Sequence, residues 1–303
     1  MRDRSDMPAD HVYLNGDIVP AAEAAIGVFD SAVMHGASVF TTMLARNGVV
    51  FRLDRHLARL MDTAAKMCLR TSATADSLAA ATGQLLAANG LADARVRITL
   101  SPGSTRGDKD SPATTLITAD PLGRPPADWY DKGISVVVSS FRQFRGDPLG
   151  GYKTGCYFSR ILARQEAAAK GAEEAIWYTQ DNLLAEACFC NVFLVVGGGV
   201  MTPPRDTPVL PGIVREAVLE LCEELGIARQ EATPLTVRQM LSAEEMFLTS
   251  SVSGIRPVAR VERHLVGQGK PGEITRRLMA AYKELLETEC PPAGGPPSEG
   301  VEP

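Results

Sequence analysis

No apolar run approaches the roughly 18 residues that a membrane-crossing helix requires, so no membrane span is expected. The opening residues, MRDRSDMPAD, are charged where a signal peptide needs an apolar stretch, and a cytoplasmic protein is expected. A basic block is also missing: 31 Lys and Arg are interspersed with 36 Asp and Glu, for a net charge of −5. Nucleic acid is therefore not an expected partner. The six cysteines (Cys68, Cys156, Cys188, Cys190, Cys222, Cys290) show no C-x-x-C spacing, so no metal site is expected and reduced thiols are. G-x-x-x-x-G-K-[ST] does not occur, which sets aside the P-loop phosphate site, and the one G-x-G-x-x-G spacing, GQGKPG at 267–272, does not open a βαβ unit, so a dinucleotide site is not expected either.

What is present is a chain of 303 residues, 45% apolar, enough to bury one large core or two ordinary ones. HVYLNGDIVP reads as two strands around an Asn-Gly turn, and SVFTTMLARNGVVF repeats the device at Asn47-Gly48. RLDRHLARLMDTAAKMCL carries Leu53, Leu57, Leu60, Ala64 and Met67 at three- and four-residue steps, an amphipathic helix, and a second helix is expected around residues 75 to 89. ARVRITLSPG and ATTLITADPL read as strands flanking the polar loop SPGSTRGDKDSP. Further strands are expected in ISVVVSS, EEAIWYT, CNVFLVV and EMFLTSS, with helices after GGYKTG, in GIVREAVLELCEELGI and in GEITRRLMAAYKELLETE. Hairpin strands with interspersed helices predict a two-domain α+β architecture. The expected divisions are an unfolded start at 1–9, a small domain at 10–122, a Pro/Gly-rich linker at 123–133, a larger domain at 134–288 and an unfolded tail at 289–303.

Four segments carry residue types suited to chemistry. In GGYKTGCYFSR, Lys153 stands at the expected doorway of a helix beside Tyr152, Cys156 and Tyr157, behind two glycines that permit close approach. Read alone, it is either a solvated lysine or a desolvated amine able to attack an aldehyde. Glu186 lies between two apolar segments, where a carboxylate either faces water in a turn or meets a cationic partner such as a protonated pyridine nitrogen. In VLPGIVREAVLELC a helix begins after Pro211-Gly212, leaving the amides of Ile213 and Val214 at the positive end of the helix dipole. FLTSSVSGIRPV ends a strand in hydroxyls, among them Ser250 and Ser251, that suit phosphate oxygens. Cys188 and Cys190 alternate on an expected strand and so would share one face, core or site wall.

Together, and in this order, these segments resemble the class IV, fold type IV pyridoxal-phosphate enzymes: branched-chain and D-amino-acid aminotransferases, (R)-selective amine transaminases and aminodeoxychorismate lyases. The resemblance runs over residues 12 to 285. It implies a two-domain α+β fold with pyridoxal 5'-phosphate between the domains, and a homodimer. It also implies Lys153 as the Schiff-base lysine, Glu186 as partner of the pyridine nitrogen, and Arg59 of RHLARL with Ile213, Val214, Ser250 and Ser251 around the phosphate. Tyr157, placed one helical turn after Lys153, is a candidate for the cofactor's 3-oxygen or for the core.

Substrate contacts implied by the same resemblance are His35, Phe40, Thr41, Arg106 and Val252, with Arg106 a candidate clamp on a carboxylate. The expected activity is transfer of an amino group between an amino acid, of branched-chain or D type, and a 2-oxo acid. Thr41-Thr42 and Gly254 resemble the aminodeoxychorismate lyases instead, whereas KTGC replaces the usual KSLN of those lyases, so pyruvate elimination is the alternative. A catalytically silent cofactor-binding protein is the alternative from another class.

Overall fold

The computed structural model describes residues 10–106, 112–123 and 125–292. The expected unfolded start at 1–9, most of the tail and positions 107–111 of the loop after Arg106 lie outside the described residues. Asn15-Gly16 and Asn47-Gly48 each turn the chain at positive φ, 52° and 117° in the first pair, 54° and 79° in the second. Asn and Gly tolerate that region, so tight hairpins form at both.

The first joins β1 (His11–Leu14) to β2 (Asp17–Pro20), and a short α1 (Ser31–His35) follows. The second joins β3 (Val39–Arg46) to β4 (Val49–Val50). Helices α2 (Leu53–Lys66) and α3 (Ala75–Ala88) and strands β5 (Ala94–Ser101) and β6 (Thr114–Pro121) complete an antiparallel sheet of order β2-β1-β6-β5-β3-β4. Helix α2 buries His56, Leu57, Leu60, Thr63 and Ala64, one face of its 3.6-residue period. That face belongs to the core that also holds Met43, Val96, Ile98, Leu100 and Ile117.

Residues 123–133, expected as a linker, include a one-turn helix α4 (Asp128–Asp131). Beyond it come β7 (Ile134–Gln143), α5 (Phe158–Ala169), β8 (Glu174–Thr179), β9 (Leu184–Ala187), β10 (Asn191–Val196) and β11 (Gly199–Met201). They are followed by α6 (Ile213–Glu224), β12 (Arg229–Gln230), α7 (Val237–Leu241), β13 (Glu245–Ser250), β14 (Gly254–Val261), β15 (His264–Leu265) and α8 (Glu273–Glu289). Pairing runs β10-β13-β14-β7-β8-β9, and β9 pairs again with β10, so the six strands close on themselves. β7 lies parallel to both β14 and β8, and α5 is the crossover between β7 and β8. Strand β14 carries Pro257, a residue that argues against a strand in the sequence, and it was not anticipated.

The chain groups into two compact units. Among the described residues, one holds 10–106, 112–123, 153–155 and 283–292; the other holds 125–152 and 156–282. Lys153 to Gly155 thus group with the first sheet, although the sequence places them inside the larger domain. The reason is backbone pairing: Phe40 N donates to Lys153 O (2.9 Å), Gly155 N donates to Ser38 O (2.7 Å), and Val39 bridges Thr154.

Candidate active site

The lysine segment departs from the sequence reading. Helix α5 begins at Phe158, and its N-cap, Tyr157, has φ −99° and ψ 6°. Lys153 therefore sits in an extended strip alongside the start of β3, five residues ahead of the helix, and Tyr157 is not one helical turn beyond it. The glycine two residues on makes this possible: a Cβ at Gly155 would collide with Ser38 Oγ and the Gly36 carbonyl. Lys153 is half-buried, with Nζ 4.7 Å from the centroid of the Phe40 ring. Arg97 of β5 lies over the same ring at 3.5 Å, a second cation that the sequence reading did not single out.

Thr41 and Arg59 meet in the same unit. Thr41 is fully buried, its Oγ1 2.9 Å from His56 Nδ1, and Arg59 Nη2 donates to that oxygen at 3.3 Å. The spacing of His56 and Arg59 on α2 brings both side chains to β3. Burial, then the charges of Arg59 and Lys153, hold the His56 imidazole well below its ordinary pKa, so it is neutral.

His35 and Arg106 stand apart from that group. His35 is exposed at the end of α1, and the Arg106 guanidinium lies 3.5 Å from the Phe29 ring centroid. The backbone leading to Arg106 is anchored by a buried carboxylate. Asp30 accepts hydrogen bonds from Ser101 Oγ, Thr114 Oγ1 and the Ala32 amide, while Thr105 N donates to Phe29 O. Burial opposes ionisation of Asp30, but those hydrogen bonds outweigh it and keep the carboxyl below the usual range.

In the second unit Glu186 lies on β9, only 4% exposed. It has the cationic partner that its burial demands, and that partner is Arg160 of α5. The Arg160 guanidinium donates to Glu186 Oε1 and to the carbonyls of Ala187 (3.0 Å) and Cys188 (3.1 Å). Gln143 Nε2 donates to Oε1 at 3.3 Å, and the Leu210 amide donates to Oε2 at 3.0 Å. Arg160 was not anticipated, because on a surface helix an arginine is the commonest kind of solvated residue.

Asn191 is a further residue that the sequence did not mark. It faces Glu186 across β9 and Thr249 across β13, and its Nδ2 donates to Leu210 O at 2.8 Å. A Cβ at Gly212 would strike its Oδ1, so glycine at the start of α6 is what lets Asn191 sit there. Asn191 thereby joins β9 and β13 through its backbone and the entry to α6 through its amide side chain. No side chain caps α6, where Ile213 and Val214 are buried. Thr249 Oγ1 is buried without a hydrogen-bond partner; Ser250 ends β13 and Ser251 and Val252 follow in the turn to β14, all three half-buried. Tyr157 packs its ring 5.7 Å from that of Phe189.

Cys188 and Cys190 correct another expectation. They lie in the bend between β9 and β10 and belong to different clusters, Cys188 against Trp177 Nε1 (3.4 Å) and Cys190 against Arg256 Nη2 (3.0 Å). A bend turns alternate residues apart, which a continuous strand would not.

Each unit carries groups suited to part of a phosphorylated aldehyde with an ionisable ring: the first has a half-buried lysine and an arginine, the second an uncapped helix start, a hydroxyl run with one orphaned oxygen and a buried carboxylate. Among the described residues no group of three or more His, Cys, Asp or Glu could hold a metal ion, and no helix is long and apolar enough to cross a membrane.

Comparison with known proteins accords with this chemistry. The family model described as amino-transferase class IV matches residues 38–261. The branched-chain-amino-acid aminotransferase of Salmonella typhimurium is 31% identical over 292 residues, covering 93% of this chain and 94% of the relative. The crystal structure of the Escherichia coli branched-chain amino acid aminotransferase superposes with a TM-score of 0.88 at 30% identity, over 95% of this chain and 98% of that one. The T.th. branched-chain amino acid aminotransferase, determined with pyridoxamine 5'-phosphate, gives a TM-score of 0.87 at 26% identity, over 94% and 95%. With the family model covering most of its length, the chain belongs to the class IV aminotransferases, a family of fold type IV, pyridoxal-phosphate-dependent transaminases.

Proposed function

We propose that this transaminase exchanges the amino group of a branched-chain L-amino acid with a 2-oxo acid, with Lys153 as the lysine that bonds the cofactor. The observation that carries the reading is the pairing of the Lys153–Gly155 strip with the start of β3, with the Lys153 amine against Phe40. The likeness to aminotransferases named for branched-chain substrates supports the substrate class. When bound, pyridoxal phosphate supplies an aldehyde for an amine and a cationic ring that draws electrons from a breaking bond at Cα.

The protein's residues supply the rest. The Lys153 amine takes the proton from the substrate Cα and returns it on the way to product. Glu186, held by Arg160, Gln143 and Leu210, supplies the negative charge that keeps a proton on the ring nitrogen. Arg59, the start of α6 and the hydroxyls of Ser250 and Ser251 bind phosphate. Phe40 forms an apolar wall for the substrate side chain, and Arg97 and Arg106 are the cations available to substrate carboxylates.

A homodimer in the cytoplasm completes the proposal. Ile26, Val28, Val33 and Met34 expose apolar side chains within one short stretch, which a partner copy would cover. All six cysteines are unpaired, in keeping with a reducing compartment.

The lyase reading rests on Thr41-Thr42 and Gly254, and the second has a backbone counterpart. Gly254, where many aminotransferases of the family have Glu, adopts φ 59°, and a Cβ there would crowd Tyr282 at 2.9 Å, so this backbone is built for glycine. A paired assay separates the readings: amino transfer from L-leucine, L-glutamate and D-alanine with a panel of 2-oxo acids, beside pyruvate release from aminodeoxychorismate without an acceptor. Acceptor-dependent turnover of L-leucine is expected. Acceptor-independent pyruvate release would replace the proposal with the lyase, and no turnover on the whole panel would leave a silent binding protein.

A further inference from the structure

The Thr41 hydroxyl, which the sequence places at the substrate, is buried between two side chains of α2. Arg59 Nη2 donates to it and His56 Nδ1 lies 2.9 Å away. A guanidinium only donates, so Thr41 Oγ1 is the acceptor of that bond. The arrangement that also uses the hydroxyl proton has Thr41 donating to an unprotonated Nδ1, which puts the ring proton on Nε2. Nε2 is buried with no hydrogen-bond partner. A protonated ring would add a third positive charge beside Arg59 and Lys153. The ring is neutral, and the pairing in which Thr41 donates to Nδ1 is the one that uses the hydroxyl proton while Oγ1 accepts from Arg59.

We propose that Thr41 and His56 are positioning residues for Arg59, forming a one-way hydrogen-bond chain that fixes the guanidinium for the cofactor phosphate. The proposal rests on the reading of Arg59 as a phosphate ligand. It gives Thr41 a role in cofactor retention in place of substrate choice. Without the chain, Arg59 keeps its charge but loses a buried acceptor that helps to set its orientation, so phosphate binding weakens while the rest of the cofactor is unaffected.

The test uses the full chain stripped of cofactor and titrated with pyridoxal 5'-phosphate and, separately, with pyridoxal, which lacks the phosphate. Thr41→Val and His56→Phe are each expected to weaken pyridoxal 5'-phosphate about tenfold and to leave pyridoxal unchanged, while Thr41→Ser restores the wild-type value. The double variant should lose no more than the larger single loss, since both act on one chain. Equal weakening of both ligands, or no weakening in Thr41→Val, overturns the proposal. If His56→Phe does not fold, the Thr41 pair decides alone. Arg59→Ala separates the two failures: unchanged pyridoxal 5'-phosphate affinity in that variant removes the phosphate reading itself, whereas a large loss there with none in Thr41→Val removes only the chain.

Discussion

Arg160 closes on Glu186 from the first turn of the crossover helix α5, and the same guanidinium holds the carbonyls of Ala187 and Cys188 at the bend after β9. The carboxylate is nearly inaccessible, and several donors stand in for the water it has lost. Removing it strands the arginine. Glu186→Ala is expected to cost about 3–5 kcal/mol in urea unfolding, the penalty of an unpaired buried charge. Glu186→Gln should cost less, because an amide oxygen still accepts from Arg160.

Lys153 is expected to be indispensable for chemistry and dispensable for folding. Its backbone carbonyl accepts a hydrogen bond from β3 whatever the side chain. Lys153→Ala should fold with an unchanged melting temperature yet lose at least about a thousandfold in turnover, as removal of an acid-base group does. Borohydride treatment followed by peptide mass analysis checks the assignment: the wild type gains a pyridoxyl group on Lys153, and the variant gains none.

His56 makes stability depend on pH in a definite direction. Its folded pKa lies well below the ordinary value of about 6.5, first through burial and then through Arg59 and Lys153. Below about pH 6.5 the unfolded chain binds a proton that the folded chain refuses, so stability must fall as the pH drops from there toward the folded pKa. Above that window the contribution is complete. Thermal melts from pH 8 to 5 should show a decline that is shallower in His56→Phe; an identical slope in the two proteins would contradict this account.

Gly155 is expected to tolerate nothing larger. An added methyl would meet the Gly36 carbonyl as well as Ser38, and backbone cannot rotate away as a side chain can. Gly155→Ala should lift the Lys153 strip from β3 and lower both the melting temperature and cofactor occupancy, read from absorbance of the purified protein. Gly16→Ala, in the open turn after Asn15 where an added Cβ meets nothing, should leave occupancy intact and cost only local backbone strain.

Local chemistry made several elements legible before any coordinates. The Asn-Gly hairpins follow from residues that accept positive φ, and α2 follows from an apolar face with the period of a helix. The family resemblance, carried by the order of Lys153, Glu186, the Pro211-Gly212 helix start and the Ser250-Ser251 turn, was likewise readable. Other features exist only across long separations. The sequence could not show that Lys153 pairs with β3 ahead of its helix, because the partner strand lies more than a hundred residues earlier. Nor could it distinguish Arg160 from an ordinary surface arginine or Asn191 from an ordinary strand residue, since each acquires its meaning from groups brought together by strand closure. Thr41 shows the limit most clearly: its place in the sequence links it to substrate, while the packing of α2 on β3 surrounds its hydroxyl with His56 and Arg59. Periodicity and turn chemistry are properties of neighbouring residues and were determined by the sequence itself; partners, burial and the protonation states that depend on them were decided only when the tertiary structure removed water and supplied the neighbours.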